Sequence, residues 1–100
     1  MTKRFRAIWN DAVLADSTDA VVVGGNAYFP VADLRTQYLR RGASHTTGPW
    51  KGIAIYYDIV VDDQVNQDGA RFYPNPTPSA ERVRGRVAFW GGVKIEADGE

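Results

Sequence analysis

Cysteine is absent from this 100-residue chain. Its absence removes disulfides, thiolate zinc sites and thiol nucleophiles together. A small domain without disulfides fits a reducing compartment, and the expected location is cytoplasmic. Histidine is nearly absent as well, since His45 stands alone. One imidazole without thiolates is a poor basis for zinc or iron, so no metal and no cofactor is expected. An excess of one charge is also missing, because twelve basic and twelve acidic side chains cancel. That balance argues against a nucleic-acid partner, which calls for excess positive charge. No run approaches the roughly 18 consecutive apolar residues of a membrane span. The basic start, residues 1–6, has no apolar stretch behind it to make a secretory signal. The expectation is a soluble protein with no membrane partner.

What is present is enough for one core: 44% of the residues are hydrophobic and 12% aromatic. A single domain over residues 1–100 is expected at this length. Phe5, Ala7 and Trp9 alternate with Arg4, Arg6 and Ile8, the period of a strand with one buried face. Asn10-Asp11 supplies a tight turn, and residues 12–15 return as a second short strand. Residues 20–23 and 27–29 read as a hairpin around Gly24-Gly25-Asn26. Residues 30–41 are the one good helix candidate, with Val31, Leu34 and Tyr38 on one stripe and Gly42 as its stop. Residues 43–52 follow as a loop. Residues 53–61 form the longest strand, apolar on both faces and therefore central, with Tyr56 and Tyr57 on opposite sides. Two short strands follow, 64–67 and 70–73, separated by Asp68-Gly69. The proline-rich 74–78 stretch is a rigid crossing into one or two helical turns ending at Gly85. Residues 86–90 and 93–96 are strands around Gly91-Gly92, and 97–100 a frayed tail. The fold class is mainly β, a β-rich α+β domain of short antiparallel strands with one or two short helices.

The reactive side chains gather in the 44–52 loop. His45 is the only group whose ordinary pKa lies near neutrality, and with Lys51 it can form an acid/base pair. Thr46 and Thr47 can donate to an anion, and Trp50 is either a core anchor or a pocket wall. The plainer reading has His45 capping a turn and the threonines bonding backbone. Trp9 and Trp90 sit in alternating strands and read as core. Asp62, Gln64, Asn66 and Asp68 loosely imitate a calcium loop, but the flanking strands make them hairpin residues. Arg35, Arg40, Arg41, Arg82, Arg84 and Arg86 read as a solvated face rather than an anion patch.

Several stretches run in a familiar order: Gly25-Asn26-Ala27-Tyr28-Phe29-Pro30, His45-Thr46-Thr47-Gly48-Pro49-Trp50-Lys51-Gly52 before Ile55-Tyr56-Tyr57, Tyr73-Pro74-Asn75-Pro76, and Gly85-Arg86-Val87-Ala88-Phe89-Trp90-Gly91-Gly92-Val93-Lys94. On these motifs the chain resembles the small bacterial domain-of-unknown-function 427 family, often labelled nucleotidyltransferase-like. The resemblance implies a compact Mss4-like β-tent, similar to methionine sulfoxide reductase B and related domains. Those relatives often use cysteine-bound zinc or a catalytic cysteine, which this chain lacks. Two positions depart from the family pattern: Gly48 stands where cysteine is common, and Arg71 where tryptophan is common. Arg71 changes a pocket wall from apolar to cationic. The nucleotidyltransferase label meets a physical objection, because such transfer needs clustered carboxylates holding magnesium. Asp62-Asp63 with Gly24-Gly25 is the nearest imitation, in turns with no helix to receive phosphate.

Three functional readings follow. The first is a small-molecule-binding domain, for a polar or aromatic ligand, with Tyr28, Thr46, Thr47, Trp50, Tyr56 or Tyr57, and Arg71 around the His45–Lys51 loop. The second is an enzyme using His45 as general acid or base and Lys51 to stabilise an anion, in proton transfer, isomerisation or hydrolysis. The third is a protein-interaction module. A symmetric homodimer is one way to cover exposed strand edges.

Overall fold

The computed structural model describes residues 3–48 and 52–98, and of residues 43–48 and 79 the backbone only. Trp50 and Lys51 lie outside the described residues, as do the side chains of His45, Thr46 and Thr47. Within these limits the chain forms nine strands: β1 (Arg4–Trp9), β2 (Ala12–Ser17), β3 (Val21–Val23), β4 (Asn26–Pro30), β5 (Leu39–Gly48), β6 (Gly52–Val61), β7 (Gln64–Phe72), β8 (Arg86–Phe89) and β9 (Lys94–Asp98). They build two antiparallel sheets, ordered β2-β1-β9 and β3-β4-β8-β7-β6-β5. The fold is mainly β, with 3-10 turns and no α-helix among the described residues.

Turn chemistry sets the hairpins. Asn10 and Asp11 have φ of 51° and 65°, Asp62 and Asp63 49° and 67°, and Gly24 and Gly25 60° and 82°. Two successive left-handed residues match the twist of the strands they join. The register confirms two-residue loops, with Trp9 opposite Ala12, Val23 opposite Asn26 and Val61 opposite Gln64.

The main core lies between the sheets. Ala7 from β1 and Leu14 and Ala15 from β2 meet Phe29, Ile59, Val61, Ala70, Val87 and Phe89 from the larger sheet. Phe5 and Trp9 pack against it, as their alternation with Arg4 and Arg6 predicts. The six-stranded sheet carries a second cluster on its other face, where Tyr28, Ala54, Tyr73 and Ala88 are covered by Ala80 and Val83 of the Pro78–Val83 3-10 segment. Residues such as Tyr28 and Phe29, adjacent in sequence, therefore serve different cores.

Four expectations are corrected. Residues 30–41 are not a helix. Pro30 ends β4 opposite Arg86, two 3-10 turns span Val31–Asp33 and Thr36–Tyr38, and Leu39 begins β5. The backbone finds partners elsewhere, since the Arg35 N–H donates to the Leu14 carbonyl at 2.7 Å and Leu34 bridges Ala15. A three-residue apolar spacing serves a 3-10 turn as well as a helix. The 43–52 loop is a strand up to Gly48, at the outer edge of the larger sheet, where polar sequence is tolerated. β7 is continuous, because Asp68 at φ 56° sits in an irregularity of the β6–β7 ladder instead of a reversal. Ala97 and Asp98 are no tail but pair with Phe5 and Arg4. No helix among the described residues is long and apolar enough to cross a membrane.

Candidate functional site

Strand alternation places Arg71 in the middle of the face that the second cluster occupies. On β7 the residues Arg71 and Tyr73 share that face, while Ala70 and Phe72 belong to the main core. Tyr56 on β6 lies directly opposite Arg71 in the register. On the other side Ala88 of β8 is opposite Arg71, and the Trp90 N–H donates to the Gly69 carbonyl at 2.6 Å. Arg71 thus receives one aromatic ring from β6 and one from the residue that follows β8. Its guanidinium carbon sits 4.1 Å from the Trp90 ring centre and 5.1 Å from that of Tyr56. Stacking of this kind contributes on the order of 0.5–2 kcal/mol and holds the guanidinium in place.

Tyr28 and Tyr73 extend the aromatic floor, with ring centres 6.3 Å apart. Tyr28 is fully buried. Burial pushes its phenol pKa up, and the nearby Arg71 charge pulls against that shift. The charge is felt at Tyr28 because the two residues face the same sheet surface.

Arg71 is chemically unfinished. Its Nε is buried and has no hydrogen-bond partner. The ion pairs among the described residues use other cations: Arg4 with Asp16, Arg6 and Lys94 with Glu96, Arg40 with Asp58, Arg84 with Glu81 and Arg86 with Asp19. Three of the six arginines read from sequence as a solvated face, Arg40, Arg84 and Arg86, are thus matched to acids. A guanidinium stacked on rings, away from carboxylates and holding an unused donor, is suited to recognise an acceptor on another molecule.

The expected site residues divide as follows. Tyr28, Tyr56 and Arg71 come together on one face. Tyr57 is on the other, in a cleft of about 220 Å³ bounded by Leu34, Leu39, Phe72 and Val87. The backbone register sets Thr46 opposite Ala54, His45 opposite Ile55 and Thr47 opposite Ile53, so this part of β5 runs beside the Ile53–Ile55 stretch of β6. Sequence reasoning missed Trp90 and Tyr73. Trp90 reads as core from its own strand, and its stacking on Arg71 emerges only from the β7–β8 pairing. Asp62-Asp63 and Gly24-Gly25 occupy two separate hairpin turns. Among the described residues, no three His, Cys, Asp or Glu groups converge to hold a metal.

No curated protein matches the chain. A family model described as Domain of unknown function (DUF427) matches residues 1–99, and the chain belongs to that family.

Proposed function

We propose that the chain is a small-molecule-binding domain whose ligand rests against Arg71, Tyr56 and Trp90, on the face of the six-stranded sheet turned away from the smaller sheet. The observation that carries this reading is the state of Arg71: flanked by two rings, outside every ion pair among the described residues, with a buried unbonded Nε. Ligand sites typically combine aromatic walls with a few aimed polar groups. Further support comes from β5, whose register runs the backbone of His45, Thr46 and Thr47 alongside Ile53–Ile55, the residues just before Tyr56. The ligand is polar or aromatic, since the walls offer ring faces and one fixed cation.

A thermal-shift screen against a metabolite library tests the reading. A compound bound only by the folded state raises its stability by about 2.7 kcal/mol at a hundred times its Kd. The expected result is at least one compound that raises the midpoint of the native chain and leaves that of Arg71→Met unchanged. Methionine retains an apolar stem against the rings and removes the donors. Shifts that are equal in both proteins, or no shift across the library, remove the proposal.

A further inference from the structure

We infer that the group anchoring the ligand is a planar organic monocarboxylate, taken in the plane of the Arg71 guanidinium. This rests on the binding reading above and adds the ligand's chemistry to it. A guanidinium offers two faces and an edge of five N–H donors. Trp90, just past the end of β8, has its ring centre 4.1 Å from the guanidinium carbon, and Tyr56 on β6 has its ring centre 5.1 Å away, so ring surface already lies against the group. The edge is left for recognition, and the edge is the part that matches a carboxylate with two parallel hydrogen bonds.

The unbonded Nε says the edge is unfinished. Nearly all buried polar groups find a partner, and a charged donor left without one is the costliest exception. Nothing within the described protein supplies that partner. Arg86 falls on the same face by strand alternation, at the other end of β8, and shows the contrast. Its guanidinium donates to the Asp19 carbonyl at 2.7 Å and sits 3.8 Å from the Asp19 carboxylate. The chain satisfies Arg86 internally and leaves Arg71 open.

Charge and shape narrow the class. Among the described strand residues on this face, Arg40 is paired with Asp58 and Arg86 with Asp19, which leaves Arg71 as the strand cation outside an ion pair. A single positive charge balances a monoanion. A phosphate monoester carries about −1.5 to −2 near neutrality and would draw further cations. The ring faces of Tyr56 and Trp90 favour a flat body next to the carboxylate, as in an aromatic or conjugated acid. Arg71, Tyr56 and Trp90 are each half-buried, so the ligand reaches the exposed part first. Reaching the buried Nε requires one flanking ring to turn aside.

The test follows the Arg71 Nε–Hε signal by NMR during titration with benzoate, with benzamide as its neutral counterpart and phenyl phosphate as the dianion. Expected are a downfield shift of that signal and slower exchange with water on adding benzoate. Benzamide binding at least about tenfold weaker is also expected, the loss of one charge-assisted bond. Arg71→Met should abolish the benzoate response. Arg71→Lys, which keeps the charge but lacks the planar fork, should weaken it at least tenfold. A signal that benzoate does not move overturns the inference. So does benzamide binding equal to benzoate, or phenyl phosphate binding tenfold more tightly. If a neutral library compound then perturbs Tyr56 and Trp90 in an Arg71-dependent manner, the binding reading stands and only the carboxylate falls. If no compound does, both fall.

Discussion

Single residues carry the sharpest consequences, and Gly91 shows how backbone and side chain combine. Its φ is 67°, and a Cβ there would run into the Asn66 amide, whose Nδ2 donates to the Gly91 carbonyl at 2.8 Å. Gly92 has φ 84° but open space around it. Gly91→Ala should therefore cost about 1–3 kcal/mol, from the left-handed backbone plus the displaced amide. Gly92→Ala should cost only the backbone part. Urea midpoints of the two variants give the comparison, and placing Gly91→Ala in an Asn66→Ala background should shrink its penalty toward that of Gly92→Ala. Equal costs for both glycines in the native background would contradict the Asn66 contact. Tyr28 offers a second residue-scale prediction. Burial raises its phenol pKa above 10.0 and the Arg71 charge opposes the rise, so Arg71→Met should push it higher still. The stabilisation linked to a raised tyrosine is whole below the ordinary tyrosine value and is lost as pH rises through the folded one. Phenolate absorbance, with Tyr28→Phe identifying the Tyr28 step, reads the shift. A Tyr28 step that stays in place in Arg71→Met would mean the two groups do not interact.

Among the elements, β5, β6 and β7 depend on one carboxylate. Between the Arg41–Tyr57 and His45–Ile55 pairs, residues 42–44 face Tyr56 alone. Between Tyr57–Ala70 and Ile59–Asn66, residues 67–69 face Asp58 alone. Each irregularity inserts two residues, so the alternation of faces survives on both sides of it. Asp58 stands where they meet, accepting the Asp68 N–H at 2.9 Å and an Arg40 N–H at 3.3 Å. Asp58→Ala leaves a partly buried amide without its acceptor and should cost about 1–2 kcal/mol. Asp58→Asn keeps an acceptor and should recover most of that. The exposed Arg40 contributes little, so Arg40→Ala should be near neutral. Faster hydrogen exchange at the Asp68 amide in Asp58→Ala alone is the accompanying readout; unchanged exchange would show that the carboxylate does not pin the strand. These irregularities also mark the limit of what the sequence discloses. Alternation on β1, β4 and β6 is legible because one-residue steps decide which core a side chain enters. The 31–38 stretch is not, since Val31 and Leu34 spacing fits a helix until Leu14 and Ala15 offer their backbone. Nor is β5, whose Ser44, His45, Thr46 and Thr47 look like a loop until Ile53–Ile55 pairs beside them. Arg71 and Tyr56 can be singled out from sequence by residue type, but only the ladder sets them opposite one another and adds Trp90.

For the molecule as a whole, the question is whether two sheets make one cooperative unit. The main core takes Ala7, Leu14 and Ala15 from the smaller sheet and Phe29, Phe89 and Ile59 from the larger. Phe29 and Phe89 meet edge to face with centres 5.7 Å apart, directly within that shared interior. Polar ties reinforce the union. Asn10 Nδ2 donates to the Val61 carbonyl at 3.2 Å, linking the turn after β1 to the end of β6. The Ser17 hydroxyl donates to Asp33 at 2.6 Å and accepts the Asp19 N–H at 2.9 Å, fastening the end of β2 to the 3-10 segment after β4. Neither sheet can bury its apolar face without the other, so loss of packing on one side must be felt on both. Leu14 is the cleanest probe, being fully buried and on β2, far along the chain from β8. Leu14→Ala should cost about 2–5 kcal/mol through lost transfer energy and the cavity left behind. Native-state hydrogen exchange then separates the possibilities. If the sheets unfold together, the slowest amides of β1 and of β7 and β8 lose protection by the same free energy. Loss confined to β1, β2 and β9 would make the six-stranded sheet a unit that holds by itself, and with it the Arg71 face would stay intact when the smaller sheet opens.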